Sequence, residues 1–228
     1  MIDFGWIADH VGAIAGRIGQ HLEFAAIALI VGFVISFGLA VASLGRPRVY
    51  ALVTVLSGIV YTIPSLALFF VFVSITGLSL LTAEIPLVLY TFLIYVRNIV
   101  LGFESVPADV IDAANGMGFS RAERFRRVEL PIAVPLIIAG VRLASVSTIA
   151  LVTITATLGV AFGGLGFFLF ERPFFFTEVL VGAVGSIAIA VGVDVLFTRL
   201  ERRLTPWSTP KLFEARGRAI PFPQPPIT

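Results

Sequence analysis

The residues best suited to chemistry in this chain form a polar island, residues 104–129, inside an otherwise apolar sequence. The island holds Glu104, Asp109, Asp112, Arg121, Glu123, Arg124, Arg126, Arg127 and Glu129. Within it Asp112-Ala113-Ala114-Asn115-Gly116-Met117-Gly118 is followed, after nine residues, by Val128-Glu129-Leu130-Pro131. These residue types offer docking rather than bond-making. Ala113 and Ala114 leave a small surface that a partner can approach closely. Gly118 lets the backbone turn without a side-chain penalty, and Pro131 can open a helix where its missing N–H costs nothing. The spacing predicts two short helices at right angles to the flanking apolar segments, presenting a flat knob to a cytoplasmic partner. The alternative is an ordinary amphipathic surface helix.

Other chemistries are missing from the sequence. There is no cysteine, so no disulfide framework, thiolate metal site or cysteine nucleophile. The only lysine is Lys211, and no Gly-rich loop with a following Lys-Ser/Thr is present. Gly159 to Gly166 is glycine-rich but lacks a lysine, and it is not read as a phosphate cradle. No Gly-x-Ser-x-Gly elbow, His-Glu-x-x-His helix or intramembrane carboxylate pair is found. His10 and His21 precede the first apolar segment and are read as interfacial polar residues rather than ligands. Active transport by such a chain requires energy from a partner.

The elements that position these residues follow from composition. Of 228 residues, 58% are hydrophobic and 13% charged, against about 25% charged in a soluble domain. Five stretches are long enough to cross about 30 Å of hydrocarbon: residues 22–43, 49–76, 84–103, 131–157 and 175–197. Residues 1–21 read as an extracytoplasmic interfacial segment with Trp6 at headgroup level, without the charge pattern of a secretory signal. Residues 22–203 form the transmembrane domain, with residues 104–130 as its docking loop. Residues 204–228 are polar and proline-rich, predicting a disordered cytoplasmic tail. Residues 45–48, 104–130 and 198–228 hold twelve of the sixteen basic residues. The positive-inside rule therefore places the island and C-terminus in the cytoplasm and the N-terminus outside.

Within the spans, polar residues are functional candidates by default. Pro64 lies in Tyr61-Thr62-Ile63-Pro64-Ser65 and must free a carbonyl and kink its helix. This suggests a helix lining a polar path, with a packing kink as the alternative. Arg97 lies near the cytoplasmic end of its span and can snorkel or pair. Arg142 lies deeper, and either a structural ion pair or a gating role suits it, with Glu104 and Glu129 as conceivable partners. Glu23 and Asp194 sit near span ends. With no acidic residue deep in a span, a proton- or sodium-coupled transporter is disfavoured.

The docking loop resembles the "EAA" loop of ATP-binding-cassette importer permeases, with Asp112 where that pattern usually has Glu. Thr62-Ile63-Pro64-Ser65-Leu66-Ala67-Leu68, Arg97-Asn98, Val128-Glu129-Leu130-Pro131-Ile132-Ala133-Val134-Pro135, Ala139-Gly140-Val141-Arg142 and Thr155-Ala156-Thr157-Leu158 through Gly163-Gly164-Leu165-Gly166 are similar to one branch. That branch is the osmoprotectant (glycine betaine, carnitine, choline) importers, and the likeness covers about residues 55–170. The aromatic run Phe167-Phe168-Leu169-Phe170 departs from it.

The resemblance implies an all-α membrane fold: five transmembrane helices of the type I importer permease class, with cytoplasmic coupling helices. It implies two permeases forming the pore, identical or paired with a sister chain, in a bacterial or archaeal plasma membrane. Two cytoplasmic ATPase subunits would hold ATP and Mg, leaving no cofactor or metal in this chain, and a substrate-binding protein would dock outside. Asp112, Ala113, Ala114, Gly118, Arg121, Arg124, Leu130 and Pro131 are the implied ATPase-coupling residues. A quaternary ammonium ion cannot donate hydrogen bonds, so aromatic faces suit it, and Tyr61, Pro64, Ser65 and Thr148 are the substrate-path residues. A permease of this architecture for amino acids or another betaine-like compound, and a non-transporting membrane scaffold, are the competing readings.

Overall fold

The fold is set by apolar helices that leave few polar backbone groups unpaired. A computed structural model describes residues 2–159 and 161–206; the tail expected to be disordered lies almost wholly outside them. A short helix α1 (Phe4–Asp9), capped by Asp3 accepting from the Trp6 N–H, leads into α2 (Val11–Ser43). After a turn at Gly45 come α3 (Pro47–Thr62), α4 (Ser65–Thr76) and α5 (Leu80–Glu104). The polar island supplies α6 (Ala108–Gly116), α7 (Arg121–Arg124) and a π-helical turn (Phe125–Glu129), which runs directly into α8 (Leu130–Ile154). A 3₁₀ turn (Thr155–Leu158), α9 (Gly166–Phe170) and α10 (Phe176–Leu204) complete the described chain.

Four of these segments are long and apolar enough to cross a membrane singly, and α3 with α4 qualifies as a pair bent by 97°. Contacts fix the direction of each. Ala83 and Leu87 at the start of α5 cluster with Phe24, Ala25 and Ala28 of α2, while Phe103 at its end meets Phe37. Thus α2 and α5 run parallel, and α3–α4 must carry the chain back between them. Gly102 and Gly140 sit against Ala133 and Asn98, so α5 and α8 are antiparallel, and α10 returns beside α8. The bent pair is therefore one crossing, and five crossings place the N-terminal helix and the polar island on opposite faces.

Three expectations change. The segment 1–21 is not one separate helix: α1 ends at Asp9, and residues 11–21 belong to α2 without a break. Pro64 ends a helix rather than kinking it. Proline disfavours helical geometry in the residue before it, and Ile63 is extended at φ −66°, ψ 131°. His21 is fully buried rather than interfacial. Its Nδ1 accepts from the Leu165 N–H at 3.3 Å and its Nε2–H donates to the Ile149 carbonyl at 3.1 Å. It thereby ties α2 to α8 and to the loop that follows.

The closeness of α5 and α8 depends on glycine. A Cβ at Gly140 would lie 2.5 Å from the Asn98 Cβ, whereas one at Gly38 would meet nothing within 4 Å. Gly140→Val should lower the melting temperature in detergent by about 2–10 °C, from an overpacking cost of about 1–3 kcal/mol. Gly38→Ala should leave it unchanged, and equal shifts would contradict this packing.

Candidate functional site

Two regions gather the polar side chains that the spans would otherwise exclude. The first is the island. Asp112 and Ala113 are exposed on α6 while Ala114 is buried, so the helix turns its acid and one alanine outward and seats the other. Gly118 adopts φ +80°, a left-handed geometry that glycine accepts freely, and reverses the chain into α7. Ser120 caps α7 in a capping box with Glu123. Arg121 is exposed, whereas Arg124 turns inward, its Nε 2.6 Å from Glu129 and its Nη1 2.7 Å from the Asn115 Oδ1. Leu130 and Pro131 are half-buried at the start of α8. The expected second short helix is therefore not separate: helical backbone is continuous from Arg121 through the span. Beside it lies an open groove of about 860 Å³ between Val41 and Leu44 of α2 and Ala122 and Phe125, edged by Arg121 and Arg126.

The second region is the break between α3 and α4. Its two helices leave the Ile63 carbonyl outside either ladder, and the Tyr90 hydroxyl donates to it. Tyr61 and Tyr90 meet edge to face, with ring centroids 5.9 Å apart. Together with Ser65, Ser147, Thr148 and Leu151 they line a cavity of about 350 Å³, within the range of small-ligand sites. The structure thus brings Tyr61, Ser65 and Thr148 to one cavity; Pro64 does not line it but creates the break between Ile63 and Ser65, which do. Sequence reasoning missed Tyr90, Ile94 and Ser147. Tyr90 carries no local signal, because only the fold shows which carbonyl its hydroxyl reaches.

Arg142 finds different partners from those expected. Its Nη2 lies 3.0 Å from the Asp194 carboxylate and its Nη1 3.2 Å from Glu201, while Glu129 is taken by Arg124. The reason is length: α10 continues to Leu204, which brings Asp194 well inside a helix and opposite α8. Arg97 is exposed and makes no ion pair among the described residues. Two acids are more buried than expected. Glu84 of α5 is 5% exposed, with neither carboxyl oxygen hydrogen-bonded, and Glu178 of α10 is 1% exposed and pairs with Arg172. Among the described residues no cluster of metal-ligating side chains forms.

A family model described as "binding-protein-dependent transport system inner membrane component" matches residues 18–206. The chain is 29% identical over 197 residues to a glycine betaine/carnitine/choline transport system permease protein of Bacillus subtilis, covering 86% of this chain and 90% of that one. It is 32% identical over 192 residues to a carnitine transport permease protein of Listeria monocytogenes (82% and 86% covered). It is 31% identical over 208 residues to an osmoprotectant import permease protein of Salmonella typhimurium (88% and 96%). Among solved structures it resembles an amino acid ABC transporter with TM-score 0.74 at 15% identity, covering 89% of this chain and 99% of that one. The inward-facing MetNI methionine ABC transporter gives 0.72 at 16%, covering 90% and 100%. The structural likeness establishes the fold.

The Arg142 triad yields a test that separates pairing from mere polarity. Removing one member of a charge cluster leaves uncompensated charge, whereas replacing all members by apolar residues removes the problem. Arg142→Met, which strands both carboxylates, should therefore lower thermal stability in detergent more than the triple variant that adds Asp194→Leu and Glu201→Leu. A triple variant as unstable as the sum of its singles would contradict the pairing.

Proposed function

The chain belongs to the binding-protein-dependent transport system inner membrane component family, and from that premise we propose that it passes a quaternary-ammonium osmoprotectant into the cytoplasm. It is a permease subunit of an ATP-binding-cassette importer and not itself an enzyme; ATP hydrolysis belongs to a partner. The named relatives transport glycine betaine, carnitine, choline or osmoprotectants. One structural observation carries the assignment of the path: a helix broken at membrane depth opens onto a cavity that holds two tyrosine rings. Irregular backbone in the hydrocarbon region is tolerated only against protein or a water-filled cavity. A quaternary ammonium group, lacking N–H donors, is held by aromatic faces, and Tyr61 and Tyr90 supply them. Ser65, Ser147 and Thr148 offer hydroxyls to a carboxylate or alcohol at the other end of such a molecule.

The knob at residues 112–131 is the surface for a cytoplasmic ATPase subunit, one of the two that hold ATP and Mg. Asp112, Ala113 and Arg121 face outward for that contact. Ala114, Gly118, Leu130 and Pro131 shape the knob, while Arg124 serves it from inside. The arginine distribution places the island and C-terminus in the cytoplasm and the N-terminus outside. The face carrying α1, α9 and residues 161–175 then meets an extracytoplasmic substrate-binding protein. A second permease, a copy or a sister chain, completes the pore. Closure of the ATPase dimer draws the two knobs together, and rigid helices rock to open the path.

Uptake by proteoliposomes holding the full complex tests this reading. Labelled glycine betaine should enter on ATP addition, and unlabelled choline or carnitine should compete. Competition only by amino acids would contradict the substrate class while leaving the fold. Gly118→Val should cut uptake at least tenfold, because a β-branched residue resists φ +80°. Gly118→Asn, which tolerates that region better, should retain more. Tyr61→Ala should raise the KM for uptake several-fold, and Tyr61→Phe less.

A further inference from the structure

The link between knob and span is a rare element. Residues 125–129 form a π-turn, and π-turns inside helices are uncommon and concentrate at functional positions. Its effect is to change which side chains share a face. In an α-helix, residues five apart point about 140° away from one another. The wider π-turn instead brings Arg124 and Glu129, five apart, into a 2.6 Å contact. The same guanidinium reaches back 2.7 Å to Asn115 in the last turn of α6. One side chain therefore joins both arms of the knob to the first residues of the transmembrane helix. Phe125, the next residue, stacks on Phe103 at the end of α5 with centroids 5.1 Å apart.

We propose that Arg124 is a positioning residue: with Asn115 and Glu129 it forms an internal brace across the π-turn, through which movement of the knob is delivered to α8. The proposal rests on the reading of the knob as the ATPase-docking surface. It differs in giving Arg124 no contact with the ATPase. A planar guanidinium suits this role because it can serve two acceptors in fixed directions, which a lysine ammonium on a flexible stem cannot. From Glu129, α8 runs unbroken to Ser147 and Thr148 at the cavity. Without the brace, the glycine turn at Gly118 and the loose π-turn would absorb the displacement.

The test compares the reconstituted full complex carrying Arg124→Ala, Arg124→Lys, Glu129→Gln or Asn115→Ala with the wild type. It measures the amount of co-purified ATPase and the molecules of ATP hydrolysed per glycine betaine taken up. The brace predicts wild-type amounts of ATPase in each complex, with the ATP cost per transported molecule raised at least threefold in Arg124→Ala and Glu129→Gln. Arg124→Lys should fall between, and Arg124→Ala with Glu129→Gln should be no worse than either alone, because both remove one interaction. A merely structural role would reduce the yield of complex without moving the ratio, and that result would overturn the proposal. Loss of ATPase from Arg124→Ala but not from Glu129→Gln would also overturn it, by making Arg124 an external contact. An Arg124→Ala chain that fails to assemble leaves the decision to Arg124→Lys and Glu129→Gln, where an unchanged ratio is the contradicting result. Wild-type complex that recruits no ATPase contradicts the reading of the knob itself, and a wild type that couples beside variants that couple equally contradicts the brace alone.

Discussion

Hydrocarbon offers no hydrogen bonds to a polypeptide, and the arrangement of this molecule follows from how it handles the one crossing where that rule is strained. Pro64 removes a donor and forces Ile63 out of helical geometry, so α3 and α4 cannot be one rod. The Tyr90 hydroxyl takes up the freed Ile63 carbonyl. This places a tyrosine from a central helix against the break and holds Tyr61 beside it. A cavity with polar and aromatic lining is the consequence. The helices around it, α5 and α8, are held close at Gly102 and Gly140, so the cavity has rigid walls on one side and a hinge-like break on the other.

The polar island and the cavity are distant in the sequence but share α8. Its first turn continues the knob, its middle carries Arg142 paired to α10, and its second half carries Ser147 and Thr148. A displacement of the knob is therefore a displacement of one wall of the cavity, provided the junction is stiff. The ends of the helices opposite the knob are secured separately. His21 bonds α8 and the following loop, and Arg17 lies over the Phe167 ring at 3.7 Å. One end of the bundle is thus tied by buried hydrogen bonds and aromatic contacts, and the other is joined to the polar island.

Much of this was legible in the sequence because it rests on local rules. Long apolar runs, the arginine bias and the Asp112-to-Pro131 spacing are properties of contiguous residues. They led to five crossings, to family-level resemblance and to the residues of the knob. Tyr61 and Ser65 were singled out because a proline among hydroxyl-bearing residues is unusual within an apolar span; Thr148 entered with the family resemblance, and the fold brings all three to one cavity. What was missed depends on contacts between remote segments. Glu201 became a partner of Arg142 because α10 continues seven residues beyond the expected end of its span, while Asp194, already within that span, is brought to Arg142 by the packing of α10 on α8. His21 is buried because Gly164 and Leu165 of a remote loop close over it. The π-turn that pairs Arg124 with Glu129 has no sequence signature, since it is a register choice that packing imposes.

The arrangement suits a chain that couples ATP hydrolysis in a partner to passage of a quaternary ammonium compound. The most direct measurement is ATP hydrolysis by the complete complex in lipid, with its binding protein, as a function of added ligand. Hydrolysis should rise severalfold with glycine betaine or choline and stay at its basal level with amino acids. Hydrolysis that responds to no quaternary ammonium compound, in a complex shown to contain both ATPase subunits and the binding protein, would contradict it.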